Sequence, residues 1–222
     1  MPTYPAEETD PYCLSAADAA RLLAGAPWRR FASIGDSLAA GIGDPSPGYA
    51  DLGWTDRLAA VLHKVHPDLA YLNAAKIGAT TVRTLELQVG PLLEFTPDLV
   101  HISCGANDIW RPAPDFFRIA HTMRQIFELA AGTGAQLTTF TLGRAFVVPG
   151  YPEWHKRVRA VNDITRALAT EYDAVLADMW DHPVNSRPGL LSADRVHFST
   201  SGQAVMAAEL VKGLAARMHV TA

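Results

Sequence analysis

Ser37, Asp194 and His197 are the residues of this chain whose types and settings suit nucleophilic chemistry. A serine hydroxyl is a poor nucleophile until a base takes its proton, and that base must be oriented by a third group. Ser37 lies in "FASIGDSL", where an apolar run breaks abruptly at Gly35-Asp36-Ser37. A serine on a glycine-opened turn at the carboxyl end of a parallel strand stands where open α/β sheets present catalytic groups. The same residues also read as a polar strand-to-helix turn, with Asp36 or Ser37 capping the helix that follows. His197 stands in "SADRVHFSTSG", with Asp194 three positions earlier, in a polar segment after the last predicted strand. Asp194 could accept from Nδ1 of His197, leaving Nε2 free to deprotonate Ser37. His63, His66, His101, His121 and His155 fall within predicted helices or a strand and read as packing or surface residues.

Acyl transfer also needs donors aimed at the oxygen on which negative charge develops. Gly78 in "NAAKIGATT" follows a predicted strand, where a residue without a side chain lets a backbone N–H approach a ligand. Asn107 in "SCGANDIW" follows another, and its amide could donate to the same oxygen. Each has a plainer reading, Gly78 as the end of a strand and Asn107 as the stabiliser of a turn.

The elements that must bring these residues together can be read from the hydrophobic pattern. Strands are expected at Arg30 to Gly35, 69–75, 98–105, 135–143 and 173–180, alternating with helices at Ser15 to Leu23, Trp54 to His66, Thr80 to Leu93, Asp115 to Ala131, Pro152 to Tyr172 and Ser201 to Met218. This alternation predicts an α/β fold, a three-layer α/β/α sandwich around a five-stranded parallel sheet of flavodoxin-like type, as one domain over 1–222. Pro/Gly-rich loops at 41–53, 143–152 and 181–193 fall over the carboxyl edge of that sheet. Trp54, Trp110, Phe146, Tyr151 and Trp154 are candidate walls of an apolar pocket there as a group, while for each one singly ordinary core packing is the first reading.

Composition excludes several function classes. The formal charge is −4 with 19 basic and 23 acidic residues, and no basic stripe interleaves with aromatics, so no nucleic-acid partner is expected. Lys156, Arg157 and Arg159 alternate with Val158 and Val161, as the solvated face of an amphipathic helix would. No apolar stretch is long enough to span a membrane, and the acidic amino terminus has no signal-peptide pattern, so a cytoplasmic location is expected. Two cysteines, Cys13 and Cys104, exclude a structural zinc cluster. Cys104 reads as a buried thiol, with a bridge to Cys13 left open.

Taken together, the motifs resemble the GDSL esterases and lipases, also called SGNH hydrolases. "GDSL" matches at Gly35 to Leu38, G-x-N-D at Gly105 to Asp108 and D-x-x-H at Asp194 to His197, with Gly78 matching the remaining block by order and spacing. The resemblance spans the chain. It implies Ser37 as nucleophile, Asp194 and His197 as its partners, and an oxyanion hole from the Ser37 N–H, Gly78 and Asn107. It also implies no metal or organic cofactor and a small-molecule acyl ester as substrate. Hydrolysis of small to medium acyl esters, including O-deacetylation of a sugar or metabolite, is the expected reaction; acyl transfer to an alcohol would use the same residues. A classical α/β-hydrolase is disfavoured because Ser37 lacks the G-x-S-x-G elbow. A non-enzymatic flavodoxin-like binding module would instead hold phosphate at the loop Gly41 to Gly53, leaving Asp194 and His197 unexplained. A catalytically idle scaffold is the remaining alternative.

Overall fold

The computed structural model describes residues 5–148, 151 and 153–220. Five parallel strands, β1 (Arg30–Gly35), β2 (Ala70–Asn73), β3 (Leu99–Ser103), β4 (Gln136–Phe140) and β5 (Val175–Ala177), form one sheet in the order β2-β1-β3-β4-β5. In β1 and β3 nearly every residue is buried, which is why both read as continuous apolar runs rather than alternating ones. Register is fixed by pairs such as Ile34 with Ile102 and Gly35 with Ser103.

Among the described residues six α-helices flank the sheet, α1 (Ala16–Leu22), α2 (Trp54–Val65), α3 (Thr81–Phe95), α4 (Phe116–Ala131), α5 (Trp154–Glu171) and α6 (Thr200–Val220), of which α2 to α5 cross between successive strands. One layer gathers α1, α2 and α6, and the other α3, α4 and α5, as the amphipathic faces require. In α2, for example, Trp54, Leu58 and Leu62 recur every four residues and are fully buried. Among the described residues no helix is long and apolar enough to cross a membrane.

The expected elements are all present, and the strands are shorter than expected for a local reason. The run 135–143 leaves the sheet after Phe140 because the Leu142 N–H and C=O pair with the Asn162 side chain of α5 instead of another strand. The run 173–180 ends at Ala177 because Thr141 Oγ1 accepts from the N–H groups of both Met179 and Trp180 and turns the chain. Pro152, the expected start of α5, lies outside the described residues.

The order β2-β1-β3 reverses direction between β1 and β3, and open parallel sheets place ligands outside the carboxyl ends of strands at such a switch. Ser37 follows β1 and Asn107 follows β3, so the fold delivers both to that crevice.

Candidate active site

The end of β1 is held from three sides. Gly35 has φ +139, and a Cβ there would lie 1.8 Å from the Ser103 carbonyl oxygen, so only glycine lets β1 and β3 approach this closely. The side-chain amide of Gln88, fully buried on α3, accepts from the Gly35 N–H at 2.7 Å and donates to the Gly35 carbonyl at 2.8 Å. The Asp36 N–H donates to the Ser103 carbonyl at 3.1 Å, and Asp36 Oδ1 accepts from the Leu38 N–H at 2.9 Å. Asp36 thus caps a run of turns over 36–41 rather than an α-helix, and Ser37 caps nothing. The indole N–H of buried Trp54 donates to the Leu38 carbonyl and closes the turn from behind.

These contacts leave the Ser37 hydroxyl facing His197 across 160 residues of chain, with Nε2 2.7 Å from Oγ. Nδ1 of the same ring lies 2.6 Å from Asp194 Oδ2. The other carboxylate oxygen, Oδ1, accepts from the N–H groups of Val196 and His197, which folds the D-x-x-H stretch into a self-bonded turn. Partial burial pushes the Asp194 carboxyl up, but the His197 ring and these two N–H groups outweigh it and hold it below its ordinary value. The turn hangs from the loop after Ser37. Asp44 Oδ2 accepts from Ala193 N–H, the Asp44 carbonyl from Thr200 N–H, and Ser192 Oγ from Asp44 N–H.

The oxyanion candidates lie on the loops that follow β1, β2 and β3. The Ser37 and Gly78 N–H groups donate to nothing among the described residues. Gly78 is exposed at φ +71 in the turn after β2, a conformation that by itself accounts for the glycine. The Asn107 side-chain amide donates to the Ala79 carbonyl at 3.0 Å, so the loop after β3 is tied to the residue following Gly78. Asp108 completes this bracket, accepting from Thr81 N–H and Oγ1, both at 2.9 Å.

Residues 33–205 match the model of the GDSL-like Lipase/Acylhydrolase family. The chain belongs to that family. It is a GDSL-type esterase/acylhydrolase. Across 91% of its length it is 29% identical to an arylesterase of Vibrio mimicus, covering 95% of that protein. Its fold is similar to that of a psychrotrophic esterase from Pseudoalteromonas sp., with TM-score 0.66 and 18% identity over 86% of this chain and 99% of the other. An acetylxylan esterase from Geobacillus stearothermophilus gives TM-score 0.64 and 20% identity over 84% and 94%.

Several expectations for this acylhydrolase need correction. The five aromatics expected to wall a pocket are largely packing residues: Trp54 and Trp154 are fully buried and Phe146 nearly so. Trp54 stacks edge-on to His101 at 4.3 Å, while Trp110, Phe146 and Tyr151 gather around Trp154 at 4.6 to 5.9 Å. Arg157 does not belong to a solvated face. Its guanidinium donates to the carbonyls of Ile109, Arg111 and Pro112 and so grips the loop after Asn107. Phosphate at the loop Gly41 to Gly53 finds no free amide at Trp54, whose N–H donates to Gln203 Oε1. Cys13 and Cys104 are free thiols, Cys104 buried as expected and Cys13 donating to Asp10 Oδ2. His101 is a core residue beside Thr138, its pKa driven down to about 3 by burial. Among the described residues no group of three or more His, Cys, Asp or Glu is placed to hold a metal ion.

Gln88, Gln203 and Arg157 position the site and were not visible as such in the sequence, whereas Asp36 was read there as a cap. The only signal in favour of the two glutamines is a polar residue on the apolar face of a helix, which reads equally as a break in the pattern.

Proposed function

We propose that this protein, as one domain over 1–222, hydrolyses small to medium acyl esters through an acyl-enzyme on Ser37. The observation that carries the reading is the chain of contacts from Ser37 Oγ to His197 Nε2 and from His197 Nδ1 to Asp194. His197 Nε2 takes the hydroxyl proton as Oγ forms its bond to the carbonyl carbon, and the carbonyl π pair moves to oxygen. The resulting oxyanion is received by the N–H groups of Ser37 and Gly78 and by Asn107 Nδ2, donors suited to it because the first two are otherwise unengaged. Collapse breaks the bond to the alcohol oxygen, which takes the proton from Nε2. Water then attacks the acyl-enzyme, gives a proton to His197, and releases the carboxylic acid as Oγ is reprotonated.

The likeness to an arylesterase and to an acetylxylan esterase supports esters of short acids, acetyl among them, as the first substrates to try. Treatment with a fluorophosphonate, followed by mass spectrometric location of the adduct, tests the reading. The label is expected on Ser37. An active enzyme labelled elsewhere, or inert to the reagent, would sink it.

A further inference from the structure

Most arginines of this chain are engaged by a carboxylate, a carbonyl or an aromatic ring. Of those with no ion pair, side-chain hydrogen bond or ring contact among the described residues, Arg195 stands inside the Asp194–His197 turn, and Arg83, Arg111 and Arg118 line one cavity of about 340 Å³. That cavity opens beside Gly78 and is also lined by Asp108, the residue after Asn107. Arg83, Arg111 and Arg118 are exposed, and three cations against the two carboxylates Asp108 and Asp115 leave the lining with a net positive charge in a chain whose net charge is −4.

Two helices add to the same field. Thr80 caps α3 and Asp115 caps α4, and Thr80, Thr81, Asp115 and Arg118 all line the cavity, so the amino ends of both helices face it. Each amino end already holds one carboxylate, Asp108 on the Thr81 N–H of α3 and Asp115 as the cap of α4. The two carboxylates present are already used. Asp108 is buried with both oxygens on Thr81, and Asp115 accepts from the Arg118 N–H. Arg111 is held in place through its own carbonyl by Arg157.

Resting on the reading of Ser37 as nucleophile with Gly78 and Asn107 beside it, we propose that this cavity binds a second, anionic group of the ester substrate, a carboxylate or a phosphate, through Arg83, Arg111 and Arg118. Guanidinium suits both groups because its planar donors pair with their oxygens bidentately. The enzyme is thereby selective for esters that carry charge at a distance from the scissile bond.

The test is a set of matched ester pairs. kcat/KM is measured for phenyl acetate against 4-acetoxybenzoate and against 4-acetoxyphenyl phosphate, which place a carboxylate or a phosphate on the alcohol side. Phenyl hexanoate against phenyl hydrogen adipate places a carboxylate on the acyl side. In at least one pair the charged ester is expected to be preferred by about ten-fold or more at low ionic strength, and less so at high salt. Arg83→Gln, Arg111→Gln and Arg118→Gln should each lower that ratio, and the triple variant should bring it to about one. Arg21→Gln, which breaks an exposed pair with Asp18 on α1, should leave it alone. The proposal is overturned if no charged ester is preferred, if the ratio survives the three glutamines, or if Arg21→Gln lowers it as far. Ser37→Ala checks the underlying reading separately: undiminished phenyl acetate turnover there would remove the nucleophile while leaving the charge ratio to report on the cavity.

Discussion

Ser37 and His197, the proposed nucleophile and base, are held in opposite ways. Ser37 sits at the end of a buried central strand, 7% exposed, with its neighbours fixed by Gln88, Ser103 and Trp54. His197 belongs to a surface turn whose Asp194 side chain is 49% exposed, and its bonds are mostly to itself and to the loop at Asp44. Ser37 is therefore positioned by the core and His197 by local chain geometry. Damage near the first should register as lost stability, and damage near the second as lost turnover.

The largest effects come from removing the reacting groups, one on each side. Ser37→Ala and His197→Ala are each expected to cut kcat by about 10⁴-fold or more while leaving the melting temperature close to wild type. Asp194→Asn should cost less than His197→Ala, because the imidazole would remain but lose its orienting acceptor. A folded Ser37→Ala enzyme with normal turnover would dissolve the comparison altogether.

Asn107→Ala should come next, lowering kcat by about 100- to 1,000-fold with KM little changed, since the donor matters most once charge has developed. A collapse of the melting temperature, with normal turnover in the folded fraction, would instead make the bond to the Ala79 carbonyl its whole purpose.

The contrast itself is sharpened by a pair of supporting substitutions. Gln88→Ala leaves the Gly35 N–H and carbonyl without buried partners and should destabilise the fold by about 1–3 kcal/mol. Asp44→Ala loosens the His197 turn and should reduce kcat/KM several-fold with a smaller change in melting temperature. Chemical denaturation and steady-state kinetics on both variants would show whether the two measures separate as expected.

The smallest effect is one of slope. Burial, with Asp108 adding to it, pushes the Asp36 carboxyl up to about 7 from an ordinary 3.8. The folded protein thus keeps a proton that the unfolded chain has lost, so the contribution of this group to stability falls as pH rises between about 4 and about 7. Asp36→Asn should remove that decline. Melting curves of both proteins across the interval would show it as a difference that shifts toward the variant with rising pH.

The candidate site residues were legible because their types are few and their spacing is local: Asp194 and His197 form their turn within four residues, and Gly35 and Ser37 mark the end of an apolar run. The parallel sheet and its two helical layers followed from the alternation of periods. What the sequence withheld is what depends on distant partners. Gln88 and Arg157 act on residues 53 and about 46 positions away, and nothing local marks a helix polar group as facing inward or gripping a loop. The aromatic residues show the same limit: Trp54 and Trp154 flank loops in sequence yet turn into the core, as the packing reading of each one singly had it.

The bond between Ser37 and His197 joins segments near opposite ends of the chain, with all five strands formed between or beside them. Closing so long a loop carries a large entropy cost that only the assembled sheet can offset. Turnover is then the last property to return when the protein refolds. Helical signal and tryptophan burial should recover first, and the appearance of activity would serve as a clock for the moment at which the carboxyl-terminal segment docks.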